Sequence, residues 1–163
     1  MISLRVLSMM PSIKIPKTLV LLVIVLAVIG LGVATYLTIE HLRGETPDCS
    51  VLEGCQAVLS SKYAEVGPIP TGVFGVFYYS TIIILAVLYL GYGNLVMMKL
   101  LGWLSAVGFV VSILLIYVQM GIIHAMCIYC MTSALVSILI FIIDLIIWRK
   151  YLSGPKKPNT VTA

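Results

Sequence analysis

Four cysteines are the residues of this chain whose type and spacing suggest a reaction: Cys49, Cys55, Cys127 and Cys130. Cys127-Ile-Tyr-Cys130 is a C-x-x-C motif. On a helix a spacing of three puts both sulfurs on one face, and at a helix start the positive end of the dipole favours a thiolate. The thiolate is the species that attacks in disulfide exchange. Cys49 and Cys55 make a second pair within an acidic stretch, suited to swinging between partners.

The elements that carry these residues follow from composition. The chain has 163 residues, 61% hydrophobic and only 10% charged. Soluble domains run near half apolar and a quarter charged, so a water-soluble globule is excluded, and disorder needs the opposite bias. A net charge of +4 without a basic cluster among aromatics argues against nucleic-acid binding. Residues 18–39 are uncharged, about 33 Å as a helix and enough to cross a bilayer core. Residues 67–98 are again uncharged, with Pro68 and Pro70 delaying the helix to about residue 71. Residues 100–143 lack charge for about 66 Å of helix, so this stretch must fold back once, near Ile123–Met126. The expected fold is an all-α membrane four-helix bundle with spans at about 18–40, 72–92, 100–122 and 127–148. Residues 1–17 precede it, residues 18–150 form the domain, and residues 151–163 form a tail expected to be disordered.

Lys and Arg distribution orients the bundle. Arg5, Lys14, Lys17, Lys99, Arg149, Lys150, Lys156 and Lys157 lie in the termini or the 93–99 connection, and Arg43 and Lys62 lie opposite. The positive-inside rule then puts both termini in the cytoplasm of a multi-pass cell-membrane protein. The apolar run of the first span is too long for a signal peptide, and no A-x-A site follows it. Residues 41–71 become the long outer loop, with a turn at Asp48–Gly54, a short helix over Gln56–Ala64 and an extended lead at Gly67–Pro70. Asp144, alone among acids inside a span, is expected to snorkel to the inner interface beside Arg149. Gly30, Gly32 and Ala34, and Gly102, Ala106 and Gly108, are candidates for close helix approach.

With this topology all four cysteines fall on the outer, oxidising face and none within a span interior. Three readings of them stay open. One is a thiol–disulfide oxidoreductase, relaying electrons between a soluble dithiol protein and a lipid-soluble acceptor. Another is a structural site, either two disulfides or a zinc ion, although zinc usually takes C-x₂-C spacing in both halves. The third is transport of copper or another metal, drawing on Met120, Met126, Met131 and His124 with the cysteines. Eight methionines in so apolar a chain are first of all packing residues.

The sequence resembles the vitamin K epoxide reductase family in its short prokaryotic form, without a fused thioredoxin-like domain. The matching pieces are Cys49-Ser-Val-Leu-Glu-Gly-Cys55, Val58-Leu-Ser-Ser-Lys-Tyr63, Phe74-Gly75 and Cys127-Ile-Tyr-Cys130, over about residues 18–150. The related bacterial quinone reductases that form disulfides carry their C-x-x-C in the first outer loop, the reverse arrangement. The resemblance implies a helix bundle around a quinone, menaquinone or ubiquinone, as electron acceptor. It implies that Cys130 is the thiolate facing the ring, that Cys127 pairs with Cys130 and exchanges with Cys55, and that Cys49 meets a soluble or anchored thioredoxin-like protein. Ser61 matches the family's loop serine. Thr71 and Ala134 stand where the animal enzymes have an asparagine and a tyrosine, which favours plain quinone reduction over epoxide recycling. Candidate walls for the quinone near the outer leaflet are Phe74, Phe77, Tyr78, Tyr117 and Met120.

Overall fold

The computed structural model describes residues 15–44, 54–59, 61 and 63–152. The expectations for Cys49, the Asp48–Gly54 turn, Lys62 and the two chain ends therefore lie wholly or mostly outside the described residues. In chain order the elements are α1 (Lys17–Arg43), α2 (Gly54–Leu59), β1 (Glu65–Val66), β2 (Ile69–Pro70), α3 (Thr71–Tyr92), α4 (Leu95–Tyr117) and α5 (Ile128–Ile147). A π-helical turn, Val118–Ile123, prolongs α4, and another, Trp148–Leu152, prolongs α5. The four long helices are each long and apolar enough to cross a membrane. The protein is an all-α membrane bundle in which α1 packs on α3 and α5, and α4 packs on α3 and α5.

Two boundaries differ from the sequence-based expectation. The third span begins at Leu95 rather than Leu100. Gly93 ends α3 in the left-handed conformation, and Asn94 caps α4 by accepting from Val96 N at 2.9 Å, so two residues make the turn and Lys99 is helical. The loop helix spans only Gly54–Leu59, and beyond it Ser61 N donates to Val58 O and Ala64 N to Ser61 O. The lead into α3 is half of a tight hairpin, with Glu65 opposite Pro70 and Val66 opposite Ile69. Gly67, at φ 67°, makes its turn with Pro68. Thr71 closes the base, giving both its N–H and its hydroxyl to Ala64 O. His41 at the end of α1 meets Glu65 at 2.8 Å and ties the hairpin to the bundle.

Because every helix is apolar all round, residue size decides which face turns inward. The buried residues of α1 are Val20, Val23, Ala27, Gly30, Ala34 and Leu37, a 3-4-3-4-3 spacing that follows one helix face. The Tyr79 ring lies directly on Gly30, and Gly72 approaches Thr38 so closely that a Cβ there would sit 2.6 Å from its hydroxyl. Small residues admit neighbouring helices where no hydrophobic force draws them together. Gly32 has nothing within 4 Å and is exposed, so it takes no part in this packing.

Asp144 departs from its expected interface position. It is 5% exposed, on the inward face formed by Ser137, Ile140, Asp144 and Ile147, and neither carboxyl oxygen has a hydrogen-bond partner among the described residues. Ser105 lies beside it but turns its hydroxyl onto Gly102 O at 3.0 Å. The helical repeat, which carries position 144 inward with 140 and 147, outweighs the preference of a carboxylate for the interface.

Candidate functional site

The site is assembled at the end of the bundle where α4 turns back into α5. The π-helical turn ends at His124, which takes φ 55°, and Gln119 O accepts the N–H groups of His124 and Ala125. Gln119 is 3% exposed. Its Oε1 accepts from Cys127 N at 3.1 Å, so one residue holds the turn by its main chain and the first cysteine by its side chain. Cys127 is the N-cap of α5, and its sulfur accepts from Cys130 N at 3.4 Å.

Cys127 and Cys130 are free thiols, whereas Cys55 is disulfide-bonded. Cys55 and Cys127 are fully buried in one small cluster with Leu37 and Val58, against which Cys130 packs. The Cys127 sulfur is held at about 7, below the ordinary thiol value of 9.0. The Cys130 thiol hydrogen bond is the largest cause, burial opposes it, and the N–H groups of Cys130 and Tyr129 assist. The family resemblance puts the thiolate on Cys130, but the helix start and the Cys130 thiol stabilise negative charge on Cys127.

Beside the pair lies a cavity of about 450 Å³, mostly apolar, between α3 and α4 with α5 as its floor and the loop as its roof. This volume is within the range of small-molecule sites. Cys130 lines it and Cys127 does not. Phe74 and Phe77, 47% and 69% exposed, stand in its wall with Val107 and Val111 opposite, so the cavity opens sideways toward lipid. Tyr78 also lines it, with its hydroxyl 3.0 Å from Ser137 Oγ. Ser61 lines the roof and donates to Val58 O at 2.7 Å. Thr71 and Ala134 are also in the lining.

Tyr117 and Met120 are not in the wall and correct the expectation that placed them there. Both lie at the right height but on the outward side: Tyr117 is 65% exposed with its ring against Gly121, and Met120 is 43% exposed. Sequence reasoning passed over Gln119, His41, Ser112, Ser133 and Ser137, all of which line the cavity. The available signal was polarity alone, since Gln119 is an uncharged polar residue inside an apolar stretch. Among the described residues no group of three or more His, Cys, Asp or Glu comes together as a metal site.

A family model described as the vitamin K epoxide reductase family matches residues 21–145. The chain belongs to that family. The match runs through all four spanning helices and both cysteines of the C-x-x-C motif, which makes the protein a multi-pass membrane oxidoreductase acting on thiols. The family uses quinones and works with thioredoxin-like partners. A comparison with individual curated proteins finds no match.

Proposed function

We propose that this protein is a quinone-dependent thiol–disulfide oxidoreductase that drives disulfide formation on the outer face of the membrane. The observation that carries the reading is the division of labour within the C-x-x-C pair. Cys130 faces an apolar cavity that opens to lipid, and Cys127 is buried behind it against Cys55. One sulfur is thereby suited to a membrane-soluble acceptor and the other to exchange with the loop.

Electrons enter at the loop. A reduced thioredoxin-like protein attacks the Cys49–Cys55 disulfide, leaving its own disulfide and two loop thiols. The Cys55 thiolate then attacks Cys127 of an oxidised Cys127–Cys130 pair, and the loop disulfide re-forms as Cys127 and Cys130 become thiols. Cys127, whose thiolate is the stabilised one, takes the Cys130 proton across their hydrogen bond and exposes the Cys130 sulfur to the cavity. Closing the Cys127–Cys130 disulfide releases two electrons and the two thiol protons. A menaquinone or ubiquinone is the group that takes up both and leaves as the quinol.

Phe74, Phe77 and Tyr78 are the ring and tail contacts in this reading, and Ser61 belongs to the roof over Cys130. The Lys and Arg excess in the termini supports a cytoplasmic position for both ends and an exocytoplasmic redox site. The competing zinc or copper reading needs cysteines that are all available as ligands, and Cys55 is already disulfide-bonded.

The test is turnover by purified protein in detergent, given a reduced dithiol and a soluble ubiquinone or menaquinone analogue, beside Cys130→Ala. Quinone loss that disappears in the variant is the expected result. No turnover with either quinone, together with one bound zinc per chain, would overturn the proposal. Cys49→Ala is expected to stop oxidation of a protein partner while quinone reduction by a small dithiol continues.

A further inference from the structure

The hydrogen-bond donors on the membrane-embedded walls of the cavity are nearly all engaged. Tyr79 gives its hydroxyl to Ser133 O at 2.7 Å, and its oxygen is 3.0 Å from Ser133 Oγ. Thr81 donates to Phe77 O at 2.7 Å. Tyr78 and Ser137 share one bond and retain one hydrogen between them. That pair is deep, because Ser137 lies seven residues, about 10 Å, further in than Cys130.

Two donors remain nearer the cysteines than that pair. Ser112, 6% exposed, makes no hydrogen bond to a described residue. Gln119 has its amide orientation fixed from outside: the atom facing Cys127 N–H must be the oxygen, so Nε2 points away from the cysteine. Nε2 also has no described partner, and Gln119 lines the cavity.

Their spacing is informative. Ser112 and Gln119 are seven residues apart on one face of a helix, about 10 Å along its axis. Two hydrogen bonds of about 3 Å leave about 4–5 Å between the acceptors, the scale of the two oxygens across a six-membered ring. The bond from Cys127 N to Gln119 Oε1 sets α4 and α5 level at that point. Counting inward from it, Cys130 lies about 4.5 Å deeper and the Ser112–Gln119 midpoint about 5 Å deeper. The centre of the bracketed ring is therefore opposite the Cys130 sulfur.

We propose that Gln119 Nε2 and Ser112 Oγ hydrogen-bond the two opposite carbonyl oxygens of a 1,4-quinone and hold its ring alongside Cys130. The inference rests on the quinone reading above and deepens it. Of the other lining residues, Thr71 gives its hydroxyl to Ala64 O and Ala134 has no donor on its side chain. Gln119 and Ser112 also select geometry, since the adjacent oxygens of a 1,2-quinone cannot reach both.

The test separates binding from turnover by using the Cys130→Ala background, with menaquinone analogues carrying a ¹³C label at one carbonyl or the other. Infrared difference spectra report hydrogen bonding at each carbonyl, and titration calorimetry reports affinity. Gln119→Glu, read at alkaline pH where its carboxyl is ionised, keeps the acceptor for Cys127 N but removes the donor, and Ser112→Ala removes only a hydroxyl. Each is expected to weaken binding roughly threefold to tenfold. Each is also expected to shift a different labelled carbonyl back to its free frequency. Should Gln119→Glu fail to fold, Ser112→Ala decides alone. A carbonyl band unmoved in its variant, or one carbonyl responding to both, overturns the assignment while quinone binding stands. Absence of any binding to the parent protein overturns the quinone reading itself.

Discussion

Replacing Cys130 with alanine tests the electrostatics of the cysteine pair directly. Cys127 titrates at about 7 instead of 9.0, and its largest single cause is the hydrogen bond from the Cys130 thiol. At pH 7 about half of Cys127 is thiolate, against about 1% for an unperturbed thiol. Cys130→Ala removes that cause and leaves burial, which acts upward, against two backbone N–H groups. The Cys127 value should rise back toward the ordinary 9.0, and a full return would cut its thiolate fraction at pH 7 by roughly fiftyfold. A more basic thiolate is intrinsically more nucleophilic, which restores roughly eightfold, so the net loss of reactivity is about sixfold. The assay is residue-resolved mass spectrometry of Cys127 after pulsed labelling with a small methanethiosulfonate across pH 5 to 10. The midpoint should move upward from about 7. Stability follows the same linkage. Since the folded value lies below the unfolded one, reduced Cys127 stabilises the fold in full above about pH 9, and the effect is lost as pH falls through about 7. The contribution is on the order of 1–3 kcal/mol, and Cys130→Ala should diminish it. An unmoved labelling midpoint in the variant, or a parent midpoint near 9, would refute the reasoning.

Other substitutions probe the bundle. Gly30→Ala drives a methyl into the Tyr79 ring, whereas Gly32→Ala meets nothing. The first should cost about 1–3 kcal/mol in detergent unfolding and the second should be neutral or gain up to about 1 kcal/mol, and equal effects would contradict the helix facing. Asp144→Leu replaces a buried carboxyl that lacks a described partner, so thermal stability should rise by about 1–3 kcal/mol. A fall would mean that the carboxyl is held by an interaction. Asn94→Ala removes the cap on Val96 N and should lower stability by about 1 kcal/mol, with the earliest hydrogen exchange at the start of α4.

The sequence was legible wherever charge or a special residue type interrupts the apolar background. Runs without charge marked four spans, and the turn near Ile123–Met126 falls where the structure turns at His124. Four cysteines and a few flanking residues carried the family resemblance that the match over residues 21–145 establishes. Phe74, Phe77 and Tyr78 line the cavity, whereas Tyr117 and Met120, chosen by the same height along the spans, face outward. Asp144 was assigned to the interface by its charge, and the structure turns it inward.

The difference has one physical cause. In water a helix declares its inner face by polarity, but in lipid both faces are apolar and only packing distinguishes them. Sequence alone therefore determined how many helices are long and apolar enough to cross the membrane, roughly where the chain turns, and which residues are candidates for the thiol chemistry. Tertiary structure decided each helix's rotation about its axis, because close contacts such as Tyr79 on Gly30 and Gly72 against Thr38 select one rotation from many equally apolar ones. That rotation turns Cys130 toward the cavity, Cys127 toward Cys55, and Gln119 toward both the cysteine turn and the cavity.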